Sequence, residues 1–248
     1  MPRPNLPGKD FRMELYKKYN SAYKQYIGNE DSANIKSDYE IYARKLLPLL
    51  NEFPKTASLI DLGCGSGYIL QFLKKNGFQN LYGIDISEEQ IKKAKQKGLN
   101  TEVKDIFDLL ETENKKYDIV FALDFIEHFH KNELLDILLG IKNILNENGA
   151  LIIRTPNGQG LFPGKIVFGD LTHLTIFNPN SLGQILRAVG FDKFSFYETG
   201  PVPKNFSGII RVILWKIVKI FINSIKIIER GLSENILTAE FICKAKVK

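Results

Sequence analysis

The sequence predicts an α/β fold built on a parallel sheet covered on both faces, and three observations carry that expectation. An apolar run, Ser58-Leu59-Ile60-Asp61-Leu62, breaks into alternating glycines, Gly63, Gly65 and Gly67, and a helical pattern follows at once. Short apolar runs and helical patterns then alternate up to residue 197, as strands joined by crossover helices do. One run, Tyr117-Asp118-Ile119-Val120-Phe121-Ala122-Leu123-Asp124, reads as a strand buried on both faces.

In chain order, residues 5–55 carry Tyr16, Tyr19, Tyr23, Tyr26, Tyr39 and Tyr42 between polar residues and end in the helical Leu46-Leu47-Pro48-Leu49-Leu50. They read as two or three helices packed ahead of the main domain. The strand at 58–62 delivers the chain into the glycine loop, where residues without Cβ tolerate positive φ and let backbone N–H groups approach a ligand. The helix opened by Tyr68 ends at Asn76-Gly77, and a second strand, Leu81-Tyr82-Gly83-Ile84-Asp85, ends in an acid suited to the two hydroxyls of a ribose. Ser87 caps the next helix with Gln90 three places on. A third strand, Thr101-Glu102-Val103-Lys104-Asp105-Ile106, ends in Asp105. Asp124, Glu127 and His128 follow the fourth strand, at the end where open α/β sheets bind ligands. The helix over 131–146 stops at a glycine cap, Gly149, before a fifth strand over 150–157. A long loop over 158–177 contains Gly169-Asp170-Leu171-Thr172-His173, and loops of that length inside a compact domain are usually functional. The last crossover helix takes Asn178 as cap, Pro179 at its first position and Gly190 at its end, ahead of a sixth strand over 191–197.

The glycine loop and Asp85 suit either a nicotinamide or flavin dinucleotide or S-adenosylmethionine (SAM). The dinucleotide fingerprint wants glycine or alanine where Tyr68 stands. Instead an acid, Asp61, precedes the loop, which suits a ligand carrying a sulfonium and an ammonium. Asp61-Leu62-Gly63-Cys64-Gly65-Ser66-Gly67, followed by Gly83-Ile84-Asp85-Ile86-Ser87, resembles the first two motifs of class I SAM-dependent methyltransferases. The resemblance implies a Rossmann-like seven-stranded sheet with strand seven antiparallel, SAM as cofactor and S-adenosylhomocysteine as product. It implies Asp61, Gly63, Cys64, Gly65, Gly67, Asp85 and Ile86 as cofactor contacts, Asp105 near the adenine and Ile106 against its ring face. The run after strand four resembles the family's fourth motif, which adds Asp124 to the cofactor contacts and places His128 either in the chemistry or as an orienter of the loop. An N-terminal segment in such enzymes closes over the cofactor, which implies contacts from Tyr19 and Tyr23.

Methyl transfer from a sulfonium is an in-line displacement in which positioning supplies most of the rate, so no metal is required. A three-histidine site would need His128, His130 and His173 together, and His130 points about 200° away from its neighbour on a helical reading. A hydroxyl acceptor needs a base. His173 is the first candidate, with Asp170 to orient it, and a loop-pinning histidine is the alternative. The Asp170-x-Thr172-His173-x-x-x-Phe177 pattern, with Thr155-Pro156-Asn157, resembles a branch that includes sugar, polysaccharide and quinone O-methyltransferases. That resemblance implies O-methylation of a saccharide or glycolipid at the cytoplasmic membrane face. A polyprenyl quinone precursor is the alternative acceptor, and a non-catalytic SAM-binding protein the alternative class. A nucleic-acid acceptor is disfavoured because the first 200 residues balance 25 basic against 25 acidic side chains.

The expected arrangement is a helical lid over 1–55, a SAM-binding core over 56–199, a helical insertion over 200–236 between strands six and seven, and the final strand within 237–248. The net charge of +6 resides entirely after residue 200, where 9 basic side chains face 3 acidic ones. Within 208–230, Arg211, Lys216, Lys219, Asn223, Lys226 and Arg230 share an arc of roughly 140°, broken by Val212, Trp215 and Ile222. Two central lysines count against a membrane-spanning helix. A wide apolar face under a basic stripe fits a helix lying in the headgroup plane, its lysines reaching up to anionic lipid, and a dimer or core helix is the alternative. Two cysteines, Cys64 and Cys243, suggest no disulfide framework, and no apolar stretch of signal-peptide type follows Met1-Pro2-Arg3-Pro4. The expected location is cytoplasmic, peripheral at the inner membrane face.

Overall fold

A computed structural model describes Arg12, Leu15 and residues 41–247. Tyr19 and Tyr23 lie outside the described residues. A π-helical turn (Tyr42–Leu46) and a 3-10 turn (Leu47–Leu50) that accommodates Pro48 lead into the sheet. Its strands are β1 (Ser58–Leu62), β2 (Asn80–Asp85), β3 (Thr101–Val103), β4 (Tyr117–Leu123), β5 (Leu145–Pro156), β6 (Lys193–Glu198) and β7 (Glu240–Lys246). The spatial order is β3-β2-β1-β4-β5-β7-β6, with β7 antiparallel between β5 and β6 and the other pairings parallel.

Period-two alternation sorts the central strands onto two cores. Leu59, Ile119, Phe121, Ala150 and Ile152 pack against α1 (Tyr68–Lys75) and α2 (Glu88–Gln96). Ile60, Val120, Ala122, Leu151 and Ile153 pack against α3 (Ile106–Thr112), α4 (Lys131–Ile144) and α6 (Pro179–Ala188). A short α5 (Gly164–Phe168) sits in the long loop. Strand order reverses at β1, which has β2 on one side and β4 on the other, so the crevice for a ligand opens at the C-terminal ends of these strands.

Three local expectations are corrected. The third strand ends at Val103, because the Asp105 carboxylate accepts from the N–H of Phe107 at 2.9 Å and caps α3, making Ile106 its first residue. Gly149 is not a helix cap: α4 stops at Ile144, the chain runs straight into β5, and Asn148 takes the positive φ of 62°. Asparagine tolerates that conformation better than other residues with a side chain. The last strand starts at Glu240 rather than 237. The capping of α6 is as read, with Asn178 and Ser181 exchanging hydrogen bonds and Gly190 at φ 83°.

The segment between β6 and β7 forms one long helix, α7 (Phe206–Arg230), capped by Asn205 and ended by Gly231 at φ 70°. Its orientation corrects the expectation of lysines reaching outward. Lys219 binds Glu198 at 2.8 Å and the carbonyl of Asn235 at 2.6 Å, and Lys226 binds Glu234 at 2.8 Å. Asn223 exchanges two hydrogen bonds with the Glu234 backbone. Glu198 of β6 and the returning segment at Glu234 and Asn235 therefore claim the centre of the polar stripe, and the half-buried Val212, Trp215 and Ile222 are the apolar part of that docking face. The opposite side points away from the body: Ile213, Ile217, Ile220, Phe221 and Ile228 are 53 to 86% exposed. Between residues 209 and 228 this apolar side spans about half the circumference at 100° per residue. Ser224 alone interrupts it, and its hydroxyl donates back to the Ile220 carbonyl. Among the described residues no helix is long and apolar enough to cross a membrane.

Candidate cofactor and acceptor site

The loop after β1 holds Gly63, Gly65 and Gly67 at φ 70°, 51° and 77°, a conformation that residues with a Cβ rarely adopt. A methyl on Gly67 would lie 2.3 Å from Leu99 Cδ1, whereas one on Gly65 would meet nothing within 4 Å, because that position faces open space. Asp85, at the end of β2, fixes the loop: one carboxylate oxygen accepts from the N–H of Gly65 at 2.9 Å and the other from the N–H of Ser87 at 2.8 Å. Ile86 beside it is half-buried. Cys64 contributes its backbone N–H to the Ile84 carbonyl, while burial, followed by the charges of Asp61 and Asp85, pushes its thiol pKa far up. Asp105 stands at the edge of the crevice as the α3 cap, and the Ile106 side chain belongs to the core.

Asp61 is 2% exposed, and burial first, then Asp85 and Asp124, raise its pKa well above the ordinary carboxylate value, with Arg154 acting the other way. An acid buried among acids is what a ligand bringing a sulfonium and an ammonium would relieve, so these residues fit SAM. Asp124, placed with the cofactor contacts from sequence, has its carboxylate engaged at both oxygens by the Arg154 guanidinium on β5.

The acceptor side lies past the end of β4, where a 3-10 turn (Ile126–His128) meets the loop carrying His173. The Glu127 carbonyl accepts from the N–H groups of Leu174 and Thr175 at 2.8 and 3.0 Å, and the Thr175 hydroxyl donates to the Phe129 carbonyl at 2.7 Å. These bonds bring the rings of His128 and His173 to 5.0 Å between centroids. The His173 Nδ1–H donates to the Val167 carbonyl at 3.2 Å, which leaves Nε2 as the lone-pair nitrogen of the neutral ring. Asp170 does not orient His173 as expected: its carboxylate accepts from the Thr172 hydroxyl at 2.6 Å, and that oxygen stands 2.9 Å from Nδ1 of His128. Thr172 intervenes because the turn from Asp170 to His173 points consecutive side chains apart.

Sequence reasoning gave Arg12 no role, gave Glu127 only its place at this strand end, and left open whether His128 acts in the chemistry or orients the loop. Glu127, 1% exposed, accepts from the Thr155 hydroxyl at 3.0 Å through Oε2, and burial, then Asp124, raise its pKa well above the ordinary value. The His128 pKa is lowered by burial and then by His173. Arg12 reaches in from the N-terminal segment with a two-point contact to Glu133 at 3.1 and 3.2 Å and a bond to the His128 carbonyl at 3.0 Å. The acid before Glu127-His128 was visible in sequence, whereas the partners of Thr155, Thr172 and Arg12 are 28 to 121 residues distant and left no local signal.

Comparison with known proteins bears on this site. A family model described as a methyltransferase domain matches residues 35–195. The ubiquinone biosynthesis O-methyltransferase of Hydrogenovibrio crunogenus is 33% identical over 169 residues, covering 59% of this chain and 69% of that protein. The chain spans only 34 to 51% of the length of other curated relatives. Among solved structures, a SAM-dependent methyltransferase from Archaeoglobus fulgidus superposes with a TM-score of 0.63 at 24% identity, over 84% of this chain and 94% of that one. The magnesium protoporphyrin IX methyltransferase of Synechocystis PCC 6803, solved with bound SAM, gives 0.60 at 17% identity over 98% and 100%. At those identities the likeness is one of fold. Taken with the match over residues 35–195, it places the chain in the class I SAM-dependent methyltransferase family, with SAM as its cofactor.

Proposed function

We propose that the protein methylates a hydroxyl of a saccharide or glycolipid presented at a membrane face. The observation that carries this reading is the imidazole of His173, its Nδ1–H fixed on the Val167 carbonyl and its Nε2 left basic, beside the strand ends that form the crevice. SAM supplies an electrophilic methyl group. His173 takes the acceptor's proton at Nε2 as the new carbon–oxygen bond forms, the arrangement general-base catalysis requires. Asp170, through Thr172, holds the His128 ring in place. Asp61 supplies negative charge to the cationic end of the cofactor, and Asp85 serves both the glycine loop and the ribose hydroxyls.

The membrane part of the proposal is supported by α7. Its polar stripe docks on the body, so its apolar half-circumference is left facing outward, flanked at its two edges by the exposed Arg211 and Lys216. That is the geometry of a helix lying in the headgroup plane. In this reading residues 1–55 act as the lid, 56–199 with 237–248 as the catalytic core and 200–236 as the membrane-facing insertion. A ubiquinone precursor is the second reading, favoured by the name of the Hydrogenovibrio relative. A SAM-binding protein without turnover is the reading from another class, and the His173 imidazole beside the crevice speaks against it.

The test is to incubate the protein with methyl-labelled SAM and a host lysate and fractionate the product. Label should enter alkali-stable lipid or saccharide. Label confined to protein or nucleic acid would overturn the acceptor assignment.

A further inference from the structure

Three successive carbonyls of the turn after β4 are each claimed by a distant stretch of chain. The Glu127 carbonyl accepts from the N–H groups of Leu174 and Thr175, the Phe129 carbonyl from the Thr175 hydroxyl, and the His128 carbonyl from Nη1 of Arg12 at 3.0 Å. We propose that Arg12 is a positioning residue for methyl transfer: its guanidinium fixes the backbone that carries His128, and through that ring it sets the place of the base, His173. The inference adds a residue to the proposed function and rests on that reading for the role of His173.

The first support is the geometry of the guanidinium. Nη1 divides its two N–H groups between the His128 carbonyl and Glu133 Oε2 at 3.1 Å, and Nη2 donates to Glu133 Oε1 at 3.2 Å. This is the planar two-point pairing of an arginine with a carboxylate, with a third bond left for the turn. Glu133 Oε2 accepts in addition from the N–H of His130 at 2.7 Å. The four consecutive residues 127 to 130 are therefore all held by their backbone, and Arg12, directly or through Glu133, serves two of them.

The second support is burial. Arg12 and Glu133 are 9 and 8% exposed. A pair this far from water is a weak source of stability, but neither group can turn aside without stranding the charge of the other, so the pair holds one arrangement.

The third support is where the fixed atoms lead. The His128 ring is held from its other end by Thr172, whose hydroxyl oxygen stands 2.9 Å from Nδ1, and it lies 5.0 Å from the His173 ring between centroids. With its backbone pinned by Arg12 and its ring by Thr172, His128 is a fixed wall beside His173. Loss of the Arg12 bonds frees that peptide, and a misplacement of about 1 Å in a reacting geometry costs on the order of 10²-fold in rate. Arg12 lies 116 and 121 residues before its partners. The part of the chain expected from sequence to cover the cofactor thus also has a hold on the acceptor side.

The experiment compares the full-length parent with Arg12→Ala, Arg12→Lys and Glu133→Gln in the transfer of labelled methyl from SAM to the host-lysate fraction that the parent labels. Arg12→Ala and Glu133→Gln should each lower turnover at saturating SAM about tenfold or more, with calorimetric SAM affinity within about threefold of the parent. Guanidinium ion, at a concentration too low to unfold the protein, should restore part of the Arg12→Ala loss. Arg12→Lys keeps the charge without the fork and should fall between the parent and Arg12→Ala. Added to His173→Ala, the Arg12→Ala change should cost no further turnover, because it acts through that base. The chain has three histidines, so single replacements assign their ring resonances. Those of His128 and His173 should move in Arg12→Ala and return with guanidinium. Should Arg12→Ala fail to fold, Arg12→Lys carries the same comparisons. Parental turnover in a folded Arg12 variant, a loss confined to SAM affinity, an additive loss in the double variant, or unmoved histidine resonances overturns the proposal. A parent that labels no lipid or saccharide fraction sinks the proposed function instead, and the histidine resonances then still decide whether Arg12 places the two rings.

Discussion

Replacing Gly65 by alanine separates the cofactor's needs from those of the fold. At φ 51° an alanine pays the left-handed backbone penalty of about 1–2 kcal/mol, and since its methyl would meet no atom within 4 Å no packing term is added. For a chain of this length 1 kcal/mol shifts Tm by about 2–4 °C, so the variant should melt roughly 2–8 °C below the parent. The open space that the methyl enters is the space assigned to SAM. Forcing one extra methyl into a close-packed contact costs about 1–3 kcal/mol, or roughly five- to 150-fold in affinity. Differential scanning fluorimetry and SAM titration calorimetry on one preparation should therefore show a modest Tm loss with at least about a fivefold affinity loss. Gly67→Ala should show the opposite balance, a large Tm loss from the 2.3 Å approach to Leu99. Parental SAM affinity in a folded Gly65→Ala protein would refute the placement of the cofactor over this loop.

Asp85→Ala should lower SAM affinity at least tenfold, since charge-assisted hydrogen bonds contribute about 1.5–3 kcal/mol each; it should also lower Tm, because the N–H groups of Gly65 and Ser87 lose their acceptor. Unchanged calorimetric affinity, or NAD binding by the parent, rejects that role. His173→Ala should reduce turnover by about 10²–10⁴ with SAM affinity retained, the range for a lost general base, and turnover within a few fold of the parent would make His173 a loop pin. SAM affinity should fall on acidification: Asp61 holds its proton to a raised pKa in the free protein, a cationic ligand favours the carboxylate, and binding in that window releases a proton. Calorimetry in two buffers of different ionisation enthalpy checks this, and proton uptake would contradict it. Vesicles containing anionic lipid should pull the protein down, with recovery reduced by Arg211→Glu/Lys216→Glu; equal recovery with and without vesicles rejects membrane binding, and a concentration-dependent dimer would assign the face to self-association.

What could be read in the sequence was whatever local physics encodes. The strand alternation, the three positive-φ glycines, the acid ending β2 and the α6 capping residues act within a few positions of themselves, and they stand in the structure where the pattern put them. Contacts between distant segments were not legible. Asp170 was assigned to His173 because they are three residues apart, yet the turn between them hands the carboxylate to Thr172 and so to His128, 44 residues away in sequence. The grouping of Glu127 with two histidines was hidden for a related reason: attention to histidine alone passes over a carboxylate that only the pairing of the 127–129 and 170–175 segments brings beside them. The amphipathic pattern of α7 was correctly seen as a stripe and a face, but periodicity gives no direction. Glu198, Glu234 and the carbonyl of Asn235 supply it, because buried or half-buried lysines go where acceptors are fixed. Once those acceptors have taken Lys219 and Lys226, the apolar face has nowhere to point except outward, and the cations left for an anionic surface are Arg211 and Lys216 at its edges. The apolar area of α7 is therefore the larger contribution to any attachment, and salt should weaken vesicle binding without abolishing it.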